Sequence, residues 1–299
     1  MLSLKVLLTG AAGQLGQEIQ GGVPEGVRLV ALTRAQLDIT NASAVDSAVV
    51  GCLPDVIINA AAYTAVDKAE SEPERAFMVN SHGSQLLAEA ARGIAGCRLI
   101  QISTDYVFDG QQHRSYTLSD TPQPLSVYGR SKWEAERAVL EILGTKAVVL
   151  RTAWLYSAHG VNFVATMLKL MGGRDVVRVV DDQTGSPTAA PSVAQALWRI
   201  VKMPEISGVA HWTDTGSATR FEFACAIGEE GRAAGLLPTP AQVMPIASSE
   251  YPTPARRPAH CILDTRETAL QLGLVPIPWR SRLRTVIAHM ARRAHSGAR

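Results

Sequence analysis

Lys5-Val6-Leu7-Leu8-Thr9 runs directly into Gly10-Ala11-Ala12-Gly13-Gln14-Leu15-Gly16, and no other stretch constrains the fold as much. The first five residues read as a short buried strand, and a helical pattern begins after the glycines. Glycine accepts left-handed backbone and puts no Cβ between the turn and a ligand, so amides at the positive end of the helix can approach a pyrophosphate. The spacing is G-x-x-G-x-x-G, one residue longer between the first two glycines than in G-x-G-x-x-G. Val27 to Leu32, Val56 to Asn59, Leu99 to Ser103 and Val148 to Arg151 read as further strands. Pro73 to Ala95 reads as a helix, with Pro73 in its first turn and Gly93 and Gly96 near its end. This alternation predicts an α/β fold, a Rossmann-type doubly wound parallel sheet with ligands at the carboxyl ends of its strands.

A second motif supplies chemistry. Tyr128-Gly129-Arg130-Ser131-Lys132 lies near the start of a helical pattern that Ser126 can cap, Ala135, Ala138, Val139, Ile142 and Leu143 can bury, and Gly144 can stop. Tyrosine and lysine four residues apart share a helix face. The ammonium then favours the phenolate, correcting a side chain whose ordinary pKa of about 10 makes it a slow proton donor at neutral pH. Such a pair suits carbonyl reduction. Taken alone it is also compatible with an ordinary surface Tyr and Lys, but a glycine loop within the first sixteen residues makes chance harder to sustain.

Cofactor preference is partly readable. An NAD site usually presents an acid about 20 residues beyond the glycine loop, for the ribose 2′-hydroxyl. Here the second strand ends in Leu32-Thr33-Arg34, which suits a 2′-phosphate, so NADPH is favoured over NADH. Arg34 as a plain solvated arginine is the competing reading.

Composition excludes more than it selects. With 299 residues, 46% hydrophobic and 19% charged, the chain can bury a full core. Its 29 basic and 27 acidic residues give no electrostatic case for nucleic acid. Arg280 to Arg299 holds six arginines and no acid, read as an amphipathic helix with a solvated face. Cys52, Cys97, Cys225 and Cys261 lack paired spacing, and the seven histidines form no metal-ligand pattern. Neither a secretory signal nor a membrane span is visible, so a cytoplasmic location is expected. Beyond about Tyr156 the pattern loses regularity, and Pro238 to Pro258 reads as loop-rich.

The chain resembles the extended short-chain dehydrogenase/reductase superfamily, and within it the dTDP-4-dehydrorhamnose reductase branch. The resemblance rests on Asp55 to Glu70, Ser103-Thr104-Asp105-Tyr106-Val107-Phe108-Asp109-Gly110, Arg151 to Trp154, Asp182 to Thr188, and Tyr251-Pro252-Thr253-Pro254-Ala255-Arg256-Arg257-Pro258. It implies a cofactor domain over 1–155 and, over 156–299, mainly a smaller nucleotide-sugar lobe interleaved with the first. It implies reduction of the C4 ketone of dTDP-4-dehydro-L-rhamnose to dTDP-L-rhamnose, with NADPH and in some members NADH. Tyr128 would protonate the developing alkoxide, Thr104 would hydrogen-bond the carbonyl oxygen, and Lys132 would hold the nicotinamide ribose. Gly10, Gly13, Gln14, Leu15 and Gly16 would take the pyrophosphate, with Asp38 and Ile39 beside adenine. Ala60, Ala61 and Ala62 would flank the cofactor diphosphate and ribose, and Asn80 and Ser103 its inner edge. Asp105, Tyr106 and Trp154 would line the sugar site, and Arg256 and Arg257 would meet the substrate diphosphate. As bare residues, Thr104 could simply cap a strand end, Tyr106 and Trp154 could be packing, and one of the two arginines could be solvated.

Departures from the branch pattern point to an alternative. Gln111 to Thr117 and Ala259-His260-Cys261 differ near the expected substrate, as in a 4-ketoreductase for another dTDP-deoxysugar of an antibiotic pathway. A non-catalytic subunit like methionine adenosyltransferase β is disfavoured by the intact Thr104, Tyr128 and Lys132. Dehydratases resemble Thr-Asp-Glu where Thr104-Asp105-Tyr106 stands. Some members bind magnesium between subunits through glutamates. Glu18 is present, but Pro191 stands where another acid is expected, and no metal is assigned. The implied partners are a dTDP-keto-sugar and a second copy of the chain in a homodimer, with neither nucleic acid nor membrane.

Overall fold

β1 (Leu4–Thr9) lies between β2 (Val27–Leu32) and β3 (Val56–Asn59), and the sheet continues through β4 (Arg98–Thr104) and β5 (Ala147–Thr152) to a sixth strand, Gly208–His211. Every pairing is parallel, with Val6 opposite Val56 and Ile100 opposite Val148. The computed structural model describes residues 3–297.

Apolar runs form these strands because both sheet faces are covered. Val6, Leu8, Val56, Ile58 and Ile100 face α1 (Gln14–Gly21) and the Ala190–Val201 helix. Their neighbours Leu7, Ile57 and Leu99 face α2 (Ala42–Cys52) and the Gly83–Arg92 and Val127–Leu143 helices. The Trp198 indole donates to the Ile19 carbonyl at 3.1 Å, tying the Ala190–Val201 helix to α1. Sequence from beyond residue 155 therefore completes the main sheet and covers it.

The remaining C-terminal elements pack around Phe223, which stacks on Phe163 with ring centroids 5.4 Å apart. Among them are the Phe163–Gly172 and Arg220–Ala233 helices and the parallel strands Val176–Val180 and Gln242–Ile246. The basic stretch is the Trp279–Gly297 helix, and part of its charge is spent on Glu230, which accepts from Arg280 and Arg284 at 3.2 and 3.1 Å. Residues 298 and 299 of that stretch lie outside the described residues.

All five expected strands form, β4 and β5 each extending one residue further at either end. The helix expected from Pro73 to Ala95 differs in kind. It is α over Pro73–Phe77, π over Met78–His82 and α again over Gly83–Arg92. Periodicity did not show this, because the apolar residues on either side are too few to reveal the one-residue slip that a π turn introduces.

Candidate active site

Strand order reverses about β1, and the crevice between the carboxyl ends of β1 and β3 holds the glycine loop. Gly10 has φ +71°, and a Cβ there would stand 2.6 Å from the Ala60 and Ala61 backbone. Only glycine fits. Gly13 is the N-cap of α1, which has no side-chain cap and no acid in its first turn, so its leading amides suit an anion. A Cβ on Gly16 would collide with the Gly10 carbonyl, while Leu15 is buried as an anchor in the core. Gln14 donates to the Leu155 carbonyl at 3.4 Å, and its buried Oε1 has no protein partner.

Beyond β2, Arg34 is 71% exposed and stands 3.8 Å from Asp38. Asp38 accepts from the Thr40 amide and hydroxyl at 3.0 and 2.8 Å, which holds its carboxyl below the usual range. The Ile39 side chain turns inward against Gly83, where a Cβ would stand 2.8 Å away. At the end of β3, Asn59 accepts from Thr9 at 2.6 Å and donates to Gln101 at 2.8 Å, fixing the start of Ala60 to Ala62. Asn80, inside the π turn, donates to the Tyr63 carbonyl at 3.0 Å and to Ser131 at 2.9 Å. The loop after β3 and the Tyr/Lys helix are thereby joined through one side chain.

Ser126 caps the Val127–Leu143 helix by accepting from Gly129 at 3.1 Å, and Glu70 accepts from the Val127 amide at 2.8 Å. Gly129 lets this helix press onto the β4 exit, since a Cβ there would strike the Tyr106 carbonyl. Tyr128 keeps part of its surface accessible. Burial pushes its phenol above the ordinary value, nearby Asp105 and Tyr106 push the same way, and the Thr104 hydroxyl bonded to it opposes them. Thr104 also donates to Asp105 at 3.0 Å and accepts from the Tyr106 amide at 3.2 Å, so it caps the short turn as well as facing the phenol. Asp105 is raised to about 6, chiefly by burial. The Lys132 ammonium donates to the Ile102 carbonyl at 2.6 Å, and burial lowers it to about 8 against the pull of Glu136. Ser103 spends its hydroxyl on Glu136.

The cleft rim comes from the C-terminal half. The Tyr106 ring meets Tyr128 edge-on at 5.7 Å. Both Arg220 and Arg257 reach the Tyr106 hydroxyl. Arg257 is engaged by Asp67 in a two-pronged pair at 3.0 and 2.6 Å. Arg220 has no contact ion pair among the described residues and lies 3.4 Å from the centre of the Trp154 ring. Trp154 has φ +43°, uncommon for a large residue, and its ring fills the space a Cβ at Gly185 would need. Arg256 is exposed.

Tyr128, Lys132, Thr104, Asp105, Tyr106 and Trp154 thus come together, and Gly10, Gly13, Gln14, Gly16, Ala60 to Ala62 and Asn80 stand at the adjoining crevice, whereas Leu15, expected there, faces the core. Glu136, Arg151 and Arg220 were missed in the sequence. Arg220 had a signal: it opens a helix whose capping box is Thr219 with Glu222, and a cation at a positive helix end needs a local reason.

A parallel doubly wound sheet with a glycine loop at its reversal point and a Tyr-x-x-x-Lys helix beside it defines a protein of the short-chain dehydrogenase/reductase type. The family model described as RmlD substrate binding domain matches residues 4–292. The dTDP-4-dehydrorhamnose reductase of Aggregatibacter actinomycetemcomitans is 40% identical, with 95% of this chain and 99% of the relative covered. That of Mycobacterium tuberculosis H37Rv is 42% identical, with 96% and 93% covered. The Bacillus anthracis dTDP-4-dehydrorhamnose reductase in complex with NADP superimposes with a TM-score of 0.89 at 35% identity, covering 96% of this chain and 99% of that one. Thermus thermophilus UDP-glucose 4-epimerase, at 20% identity and a TM-score of 0.82, shares the fold. The chain belongs to the dTDP-4-dehydrorhamnose reductase family.

Proposed function

We propose that the protein reduces the C4 ketone of dTDP-4-dehydro-L-rhamnose, giving dTDP-L-rhamnose at the expense of NADPH. The observation that carries this reading is the meeting of Thr104, Tyr128 and Lys132 beside a glycine crevice, in a chain of this family. The residues fit a dinucleotide: the Gly10 and Gly16 contacts leave no room for side chains, α1 presents uncapped amides, and the buried Gln14 Oε1 lacks a partner. When bound, the reduced nicotinamide supplies a hydride to the carbonyl carbon.

The chain's own groups do the rest. Tyr128 gives its phenolic proton to the carbonyl oxygen as charge develops there, and Thr104 donates a second hydrogen bond to that oxygen. A phenol held high by burial is fully protonated before the reaction, and the Lys132 charge, one turn along the same helix, offsets its cost as an anion afterwards. Lys132 also holds the nicotinamide ribose. Asp105, Tyr106 and Trp154 orient the sugar. Arg34 meets the 2′-phosphate, and Asp38 with Ile39 borders the adenine. Arg220, held near Asp105 and the Tyr106 hydroxyl, takes the substrate diphosphate together with Arg256, while Arg257 stiffens the rim through Asp67. Residues 1–155 and 156–299 form the cofactor and substrate lobes, interleaved through the Gly208–His211 strand. A homodimer and a cytoplasmic location belong to the same proposal.

The test is NADPH oxidation with enzymatically prepared dTDP-4-dehydro-L-rhamnose, followed by identification of the sugar. Formation of dTDP-L-rhamnose supports the reading. Reduction of a different dTDP-ketone alone would transfer the protein to an antibiotic-sugar pathway, and reduction of none would end the enzyme reading.

A further inference from the structure

Glu136 lies one turn beyond Lys132 on the same helix and is 2% exposed. A carboxylate facing a sheet has to be satisfied there, because burying an uncompensated charge costs several kcal/mol. Two strands satisfy it. Ser103 of β4 donates its hydroxyl, and Arg151 of β5 donates from Nε at 3.0 and 3.1 Å and from Nη2 at 2.6 Å. Arg151 is in turn backed by the Phe108 ring at 5.1 Å and by His211 at 3.4 Å. The helix therefore grips three successive residues of β4: Ile102 through Lys132, Ser103 through Glu136, and Thr104 against Tyr128.

We propose that the buried Glu136–Arg151 pair is a positioning device for the reduction, setting a carboxylate one turn beyond Lys132 and keeping Thr104 in register with Tyr128. The inference rests on the ketone-reducing reading. On its own helix Lys132 is flanked by Tyr128 and Glu136; Asp105 and Tyr106 at the end of β4 act on Tyr128, and Arg151 from β5 pairs with Glu136. Glu136 is the charge that acts on Lys132 against the desolvation that brings it to about 8. A pair that served packing alone would leave the titration of Lys132 where it is.

The experiment is the pH dependence of kcat for NADPH oxidation with a saturating dTDP-ketone. Wild type should lose rate above a midpoint near 8, as Lys132 loses its proton. In Glu136→Gln that alkaline limb should move to lower pH by about one unit, so that kcat at pH 8 falls about fivefold. Because an unpaired Arg151 threatens the fold, Glu136→Gln/Arg151→Met removes both charges together; losing the cation opposes losing the carboxylate, so the limb should move in the same direction but less far. Glu136→Asp should return the limb toward wild type. Folded variants that keep the wild-type limb overturn the proposal. A wild-type enzyme that reduces no dTDP-ketone refutes the reductase reading instead.

Discussion

At the cleft floor, Lys132, Glu136 and Arg151 are between 2% and 4% exposed, and strand backbones or buried side chains satisfy them. At the rim, Arg34 and Arg256 are open to solvent, and Arg220 rests on the face of Trp154. The floor is complete without a ligand, whereas the rim carries charge still to be used. Dipoles fixed in advance act on the transition state without reorganising, and cations at the rim contribute mainly to capture. Chemistry and recognition therefore occupy different depths of one cleft and should respond to different substitutions.

The sharpest way to break this division is at Tyr128. Tyr128→Phe removes one hydroxyl from the floor and should lower kcat by about 10² to 10⁴ while the thermal melt and cofactor affinity stay near wild type. Turnover within threefold of the parent would take Tyr128 out of the mechanism. Next comes Arg220→Ala, which should raise KM for the dTDP-ketone about tenfold or more and change kcat much less. Were kcat to fall as far as in Tyr128→Phe, the depth distinction would collapse. The smallest effect is expected from Arg34→Ala: a rise of several-fold in KM for NADPH with KM for NADH nearly unchanged, since only the former carries the 2′-phosphate. Equal weakening of both would make Arg34 a structural residue.

Legibility in the sequence followed the same division by depth only in part. The glycine loop, the strands and the capped Tyr/Lys helix are local patterns, and local patterns survive in a one-dimensional reading. Lys132 and Tyr128 were readable because the helix alone sets their relation. Glu136 and Arg151 each carried a local signal that the sequence reading left unused, an acid on a buried helix stripe and a cation at the end of an apolar strand. Their partnership depended on β4 lying between them. Arg220 reaches Tyr106 from more than a hundred residues away in the chain, and the Asp67 hold on Arg257 spans nearly the whole molecule. Neither leaves a periodic trace.

The π turn at Met78–His82 also bears on how such a chain can change by insertion and deletion. Losing one residue there would regularise the helix, and by ordinary measures of helical propensity the shortened segment would be at least as content. It would also rotate everything on one side of the cut by about 100° relative to the other. Asn80 could not then face Tyr63 and Ser131 together. In the lineage of such chains, a length change that spares foldability would be filtered out by the cleft alone.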